Sequence, residues 1–317
     1  MNVAFWPSYA GEEIAAKLRE LPGVELVLAA DAAALAAAAP AMEALVIGAQ
    51  FYDAALAAML RARAGRLRFI QTFTAGYEGL QAHGMPPGVV VANAGESWSV
   101  GVAEHGMAML LALVKCLPES IRNQTRHDWD RAQSARMGTL EGLTAAIVGY
   151  GSIGRAFARL AKAFGMRVVG LSRSARPDGL ADEVRPVGEL AAVLGRADVV
   201  VVAAPHSAET DRMIGAAQLA ACRRGAILIN LARGGLVDQQ ALVAALRSGR
   251  LGGAGLDVTD PEPLPAGDPL WDCPNVLVTP HVAGSSGHVG RARLAAFVSG
   301  NVARFVADEP PAHVVTL

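Results

Sequence analysis

Short runs of apolar, often β-branched residues alternate along the chain with longer stretches whose apolar positions recur at helical spacing. In the first hundred residues this pattern predicts strands at Val3–Trp6, Glu25–Leu28, Ala44–Ile47, Arg68–Thr72 and Val89–Ala92. Helices are predicted at Glu12–Glu20, Ala32–Ala39, Asp53–Arg63 and Gly79–His83. Strands apolar on both faces and separated by helices predict a parallel sheet covered on both sides. The Ala-rich run Asp31–Ala44 fits one crossover helix, with Asp31 as its cap. A long helical segment, Ser99–Ile121, is expected to be interrupted at Pro118. A second series then offers strands at Ala145–Val148, Arg167–Leu171, Val199–Ala203, Ala226–Asn230, Gly253–Asp257 and Val276–Thr279, before a helical tail, Val289–Val306. The expected fold class is α/β, with two Rossmann-like domains built on doubly wound parallel sheets. The tail is expected to return to the first domain, giving residues 1–98 plus 282–317 as one domain and 99–281 as the other.

The second series opens on Ala145–Gly154, AAIVGYGSIG, a strand that runs into Gly149-x-Gly151-x-x-Gly154 and then a helix. Gly149 suits the tight turn, Gly151 lets backbone approach a pyrophosphate, and Gly154 lets the helix pack closely on the strand. The helix start, with Ser152 and Ile153, offers unpaired N–H groups and partial positive charge to phosphates. A bare glycine triplet is weak evidence, but a complete βαβ unit surrounds this one.

Composition narrows the class further. With 317 residues and 52% apolar content, the chain can build two ordinary cores. Its net charge of −1, acids and bases intermixed, offers no basic surface to capture nucleic acid or anionic membrane. The start, MNVAFWPSYAGEE, lacks a signal-peptide pattern, and no apolar run reaches the ~20 residues of a membrane span. Cys116, Cys222 and Cys273 are scattered outside any metal-ligand spacing, so a cytoplasmic protein without a metal site is expected.

Three segments follow successive strands of the second series: Asn230–Gly235 (NLARGG), Leu256–Pro263 (LDVTDPEP) and Thr279–Gly284 (TPHVAG). Ligands of open α/β sheets collect beyond the carboxyl ends of strands, so Arg233, Glu262 and His281 form a candidate catalytic set. Each also has a plain alternative: a solvated turn, a loop acid and a capping histidine.

The order VGYGSIG, NLARGG, GAGLDVTDPEP, TPHVAG resembles the NAD(P)-dependent D-2-hydroxyacid dehydrogenase family over nearly the whole chain. Val102–His105 (VAEH), the Trp129 region, and Ala203–Pro205 with Glu209-Thr210 add to the likeness. The resemblance implies an active site in the interdomain cleft, where Arg233 binds the substrate carboxylate and polarises the carbonyl. It further implies that His281 is the acid/base and Glu262 its partner. Elementary chemistry agrees: reducing a 2-oxo acid needs a hydride at carbon and a proton at oxygen. Histidine supplies the proton, an adjacent carboxylate favours the protonated ring, and arginine presents a fork that matches a carboxylate. Carbonyl reduction is therefore expected to fall as His281 loses its proton.

By the same resemblance, Asp257 holds the nicotinamide carboxamide, a strand-end cap being its plainer reading. The cofactor is also expected to touch Pro205, Leu231, Ala232, His281 and Gly284. Ala75 and Gly76, in the loop Thr74–Tyr77, correspond to backbone donors for the substrate carboxylate. Trp98 could line the pocket, although core or interface is the commoner place for tryptophan. His83, His105, His127, His288 and His313 read as structural or surface residues; His206 reads as near the cofactor without being catalytic.

NAD-specific sites generally carry an acid about 20 residues beyond the first glycine. Here Leu171 is followed by Ser172, Arg173 and Ser174, which suit a 2′-phosphate and favour NADP, with NAD possible. Asp178 comes late for the acidic role but could reach back. The expected substrate is a small 2-oxo acid such as glyoxylate or hydroxypyruvate, reduced to the D-hydroxy acid. Formate dehydrogenase shares the fold, but an amide there replaces the carboxylate that Glu262 supplies. A nucleotide-sensing corepressor is the non-enzymatic alternative, and a homodimer through Ser99–Arg136 is the expected assembly.

Overall fold

The structure, a computed structural model, describes residues 1–273 and 275–315. The last two positions of the expected first domain, 316–317, lie outside the described residues. Contacts divide the chain into two compact units, Met1–Trp98 with Ser286–Leu317, and Ser99–Ser285.

The first unit carries strands β1 (Asn2–Phe5), β2 (Glu25–Leu28), β3 (Ala44–Ile47), β4 (Phe69–Thr72) and β5 (Val90–Ala92), all parallel, in the order β2-β1-β3-β4-β5. Its helices in the first hundred residues are α1 (Gly11–Arg19), α2 (Ala32–Ala38), α3 (Ala54–Arg63) and α4 (Glu78–His83). Alternate side chains of one strand point to opposite faces. Ala4, Leu45 and Ile47 accordingly pack with Leu35, Leu56, Leu60 and Leu80, while Val3, Phe5 and Val46 pack with Ile14 and Leu18. Asp31 and Asp53 cap α2 and α3 by accepting the N–H groups of Ala34 and Leu56. Strand β2 departs from the buried pattern. It lies at the sheet edge, and Val27 and Leu28 are exposed.

The second unit begins with α5 (Ser99–Val114) and α6 (Leu117–Thr125). The break between them falls before Pro118, where Cys116 turns the chain at φ 51°, and Pro118 sits in the first turn of α6. A proline needs no N–H partner in that first turn, so it opens a helix there rather than ending one. Seven strands follow: β6 (Thr144–Val148), β7 (Arg167–Ser172), β8 (Glu183–Pro186), β9 (Val199–Val202), β10 (Ala226–Asn230), β11 (Leu251–Leu256) and β12 (Val276–Val278). They form one parallel sheet in the order β12-β11-β10-β9-β6-β7-β8. Strand β8 has no counterpart in the hydrophobic pattern. Its sequence, EVRP, is largely polar, as suits an edge strand.

Helices α7 (Ser152–Ala163), α8 (Leu190–Leu194), α9 (Ala216–Ala221) and α10 (Gln239–Arg247) complete this unit. Val193, Leu194, Leu219, Leu242 and Leu246 cover one face of the sheet together with Val148, Val200, Val202 and Leu228. On the other face, α5 packs against α7 and crosses β10, β11 and β12. The tail helix α11 (Gly287–Val306) belongs to the first unit, where Leu294, Val298 and Val302 join the cluster around Phe5 and Ile14.

Candidate active site

Strand order in the second unit reverses direction between β6 and β9, the place where an open α/β sheet leaves a ligand crevice at its carboxyl edge. Gly149, at the end of β6, has φ 96°, and a Cβ there would come within 2.3 Å of the Ala204 backbone nitrogen. Only glycine fits both constraints. A Cβ on Gly154 would lie 2.4 Å from the Gly149 carbonyl oxygen, so helix α7 sits directly on the turn. A Cβ on Gly151 would meet nothing within 4 Å, which leaves open space over that backbone. No side chain caps the start of α7, so the first-turn N–H groups of Ser152, Ile153 and Gly154 stay available for an anion. These features fit the pyrophosphate of a dinucleotide.

At the end of β7, the Ser172 hydroxyl accepts the Ala175 N–H at 3.0 Å. Arg173 and Ser174 are exposed, and Arg173 makes no hydrogen bond or ion pair among the described residues. Asp178 is otherwise engaged. Its carboxylate accepts from the N–H groups of Leu180 and Ala181, from the Tyr150 hydroxyl at 3.3 Å, and pairs with Arg155 at 3.2 Å. Burial and the neighbouring Asp178 push the Tyr150 phenol up to about 12. The late acid therefore braces the glycine-rich turn, and the free guanidinium at this strand end is Arg173.

The loops after β9, β10 and β11 press on one another. The Pro205 carbonyl accepts the Thr210 hydroxyl, and the His206 ring, 2.9 Å from Asp211, lies where a Cβ on Gly235 would strike it. A Cβ on Gly234 would fall 2.0 Å from the Thr259 carbonyl, so the glycine after Arg233 admits the loop that carries Glu262. Asn230 ties the Arg233 loop from within, donating to the Arg233 carbonyl and accepting the Ala232 N–H. Leu231 and Ala232 are buried beside it, Leu231 where a Cβ on Gly106 would stand. The Arg233 guanidinium donates to the Ala232 carbonyl at 2.8 Å.

His281 and Glu262 meet directly, Nδ1 to Oε1 at 2.7 Å, both half-exposed. A carboxylate only accepts, so Nδ1 carries the shared proton and Nε2 is the ring's free working atom. Arg233 follows β10 and His281 follows β12, two strands away and thus about 10 Å along the sheet edge. That span suits a small acid held at one end and protonated at the other.

Asp257 directly follows β11 and has only 2% exposure. Its carboxylate accepts the Thr279 hydroxyl at 2.6 Å and the N–H groups of Val282 and Ala283 at 2.9 and 3.0 Å. The acid thus holds the 279–284 loop, on which Gly284 also lies, and retains acceptor capacity on Oδ2. His105 lies 2.9 Å from Thr279 and 3.6 Å from Asp257. From sequence His105 reads as a structural or surface histidine, and with its partner 174 positions away no local signal marks it.

In the first unit, Ala75 and Gly76 follow β4. The carbonyls of Thr74, Ala75 and Gly76 all accept hydrogen bonds, from Thr72, Asn93 and Thr74 side chains respectively. Among the described residues no protein acceptor takes the N–H of Ala75 or Gly76. Two half-buried donors therefore remain for an anion. Trp98 donates its indole N–H to the Phe73 carbonyl and packs on Tyr9.

Comparison with known proteins agrees with this geometry. A family profile described as "D-isomer specific 2-hydroxyacid dehydrogenase, NAD binding domain" matches residues 107–283. A glyoxylate reductase of Korarchaeum cryptofilum is 36% identical over 259 residues, which cover 80% of this chain and 77% of that protein. The crystal structure of a D-isomer specific 2-hydroxyacid dehydrogenase family protein from Aeromonas salmonicida superimposes with a TM-score of 0.87 at 30% identity, over 99% of this chain and 98% of that one. An NADPH-dependent glyoxylate/hydroxypyruvate reductase from Sinorhizobium meliloti, solved with NADP and sulfate, gives a TM-score of 0.83 at 29% identity, over 99% and 98% of the two chains.

Proposed function

Since the chain belongs to the D-isomer-specific 2-hydroxyacid dehydrogenase family, we propose that it reduces a small 2-oxo acid, glyoxylate or hydroxypyruvate, with NADPH preferred over NADH. The observation that carries this reading is the His281–Glu262 contact on the strand edge that also presents Arg233. The nicotinamide cofactor, when bound, supplies the hydride that goes to the carbonyl carbon. Everything else falls to side chains of this protein. Arg233 binds the substrate carboxylate and polarises the carbonyl. His281 delivers the Nε2 proton to the carbonyl oxygen, and Glu262 keeps the ring oriented through Nδ1. In the first unit the free N–H groups of Ala75 and Gly76 supply further carboxylate donors.

On the cofactor side, Gly149, Gly151, Ser152, Ile153 and Gly154 receive the pyrophosphate, and Ser172, Arg173 and Ser174 the 2′-phosphate. Pro205, Leu231, Ala232, Asp257 and Gly284 border the nicotinamide half. The NADP complex of the Sinorhizobium reductase supports the choice of cofactor, as does the unpaired Arg173. We further assign the enzyme to a reducing, cytoplasmic setting, which suits three free thiols, and to a homodimer. Val100, Leu117, Ile121, Trp129 and Met137 are exposed along residues 100–137, which supports cover by a second copy.

The test is NADPH oxidation with glyoxylate and hydroxypyruvate, the latter analysed for D-glycerate because glycolate is achiral. Turnover is expected with both, and His281→Gln should lower kcat by about a hundredfold or more. No oxidation with any 2-oxo acid, or L-glycerate as product, would overturn the reading.

A further inference from the structure

The ends of β11 and β12 carry a part-buried hydrogen-bonded chain, His105–Thr279–Asp257, whose first two members have no role in the reduction step as given above. Helix α5 reaches it by packing one face along β11. Met109 and Leu113 lie over Gly255 and Gly253, strand positions without side chains, so the helix comes close. His105 shares that face one turn earlier and therefore arrives at the strand ends. Its Nε2 is 2.9 Å from Thr279 Oγ1, which is 2.6 Å from Asp257 Oδ1.

The direction of these bonds follows from chemistry. The Asp257 carboxylate accepts, so the threonine hydroxyl donates its only proton to it. The hydroxyl oxygen must then accept from His105, which places the ring proton on Nε2. Asp257 also takes the N–H groups of Val282 and Ala283, while its carbonyl takes the N–H of His281 at 2.8 Å. His281 itself sits at φ 52°, in the left-handed region that non-glycine residues visit uncommonly. Residues 281–283 thus hang on one aspartate, and Thr279, backed by His105, shares its Oδ1 with the Val282 N–H.

We propose that His105 is a positioning residue for the reaction: acting through Thr279 and Asp257, it fixes the turn that presents His281 to the substrate. The proposal rests on the reductase reading above. Small displacements of an acid/base group reduce kcat steeply, because proton transfer needs hydrogen-bond reach.

The experiment compares wild type, His105→Gln, His105→Met, Thr279→Val and the His105→Met/Thr279→Val double variant in NADPH oxidation with hydroxypyruvate. The glutamine amide N–H matches the reach of imidazole Nε2, whereas methionine fills the space without a donor. His105→Met and Thr279→Val should each lower kcat about tenfold, with KM for NADPH within twofold of wild type. His105→Gln should keep more than half of the wild-type kcat. The double variant should be no slower than Thr279→Val, because both remove one chain. The proposal is overturned if His105→Met stays within twofold of wild type, if His105→Gln is as slow as His105→Met, or if the two losses multiply. Should His105→Met fail to fold, His105→Asn, polar but too short to reach Thr279, takes its place with the same expected loss. An inactive wild type would instead count against the reductase reading.

Discussion

A single guanidinium illustrates how much a residue's partners decide. Sequence position alone does not rank the chain's charged groups, but Arg173 stands at a strand end with neither hydrogen bond nor ion pair among the described residues, whereas the acid nearest in sequence, Asp178, is held by Tyr150, Arg155 and two backbone N–H groups. Arg173→Asp should therefore raise KM for NADPH by about ten- to a hundredfold, the worth of one charge-assisted hydrogen bond. KM for NADH should hold or fall. Steady-state kinetics with both cofactors checks this, and an unchanged NADPH KM would sink the assignment. Gly149 and Gly154 were legible as types at a spacing, since turn geometry admits few alternatives, whereas the roles of Arg233 and Glu262 came from the order of motifs that resembles the family. His105 was not legible. Its partner lies 174 positions away, a contact that no local pattern encodes.

Among the elements, strand β8 shows what patterning misses. It is short, polar and at the edge, so it lacks the alternation that marks a half-buried strand. Its Glu183 accepts hydrogen bonds from Arg196, Arg167 and Arg185, which hold the carboxyl far below the usual carboxylate range. A carboxylate with a depressed folded pKa adds stability that is fully present above its unfolded pKa, roughly 4.3, and fades as pH falls toward the folded value. The three arginines are about half exposed, so solvent screening limits the gain. Glu183→Gln should cost about 1 kcal/mol at pH 7. The difference in Tm from wild type should shrink as pH is lowered from 5 toward 2.5. A thermal-unfolding series across that range tests it, and a gap that widens in acid would contradict the account. The buried strands β3, β6 and β9 needed no such help, because runs of Val, Ile, Leu and Ala already specified them.

For the whole molecule, exposed apolar side chains along residues 100–137 raise the question of assembly. Trp129 is 93% exposed, and Gln133 and Arg136 tie its loop back to α6 through Ser120 and Glu119. Light scattering should give wild type at about twice the 32.7 kDa chain mass. Ile121→Glu should shift it to the monomer, because a buried unpaired carboxylate is costly; a monomeric wild type would refute the dimer. The α/β class, the order of every strand except β8, and the dinucleotide turn followed from the chain itself, since hydrophobic period and glycine placement act over a few residues. Which charged group at the end of β7 is free and which is bound, where α5 breaks, and how His105, Asp257 and Thr279 converge behind His281 were decided only by the folded chain. Those outcomes depend on which distant groups share space, and packing alone settles that.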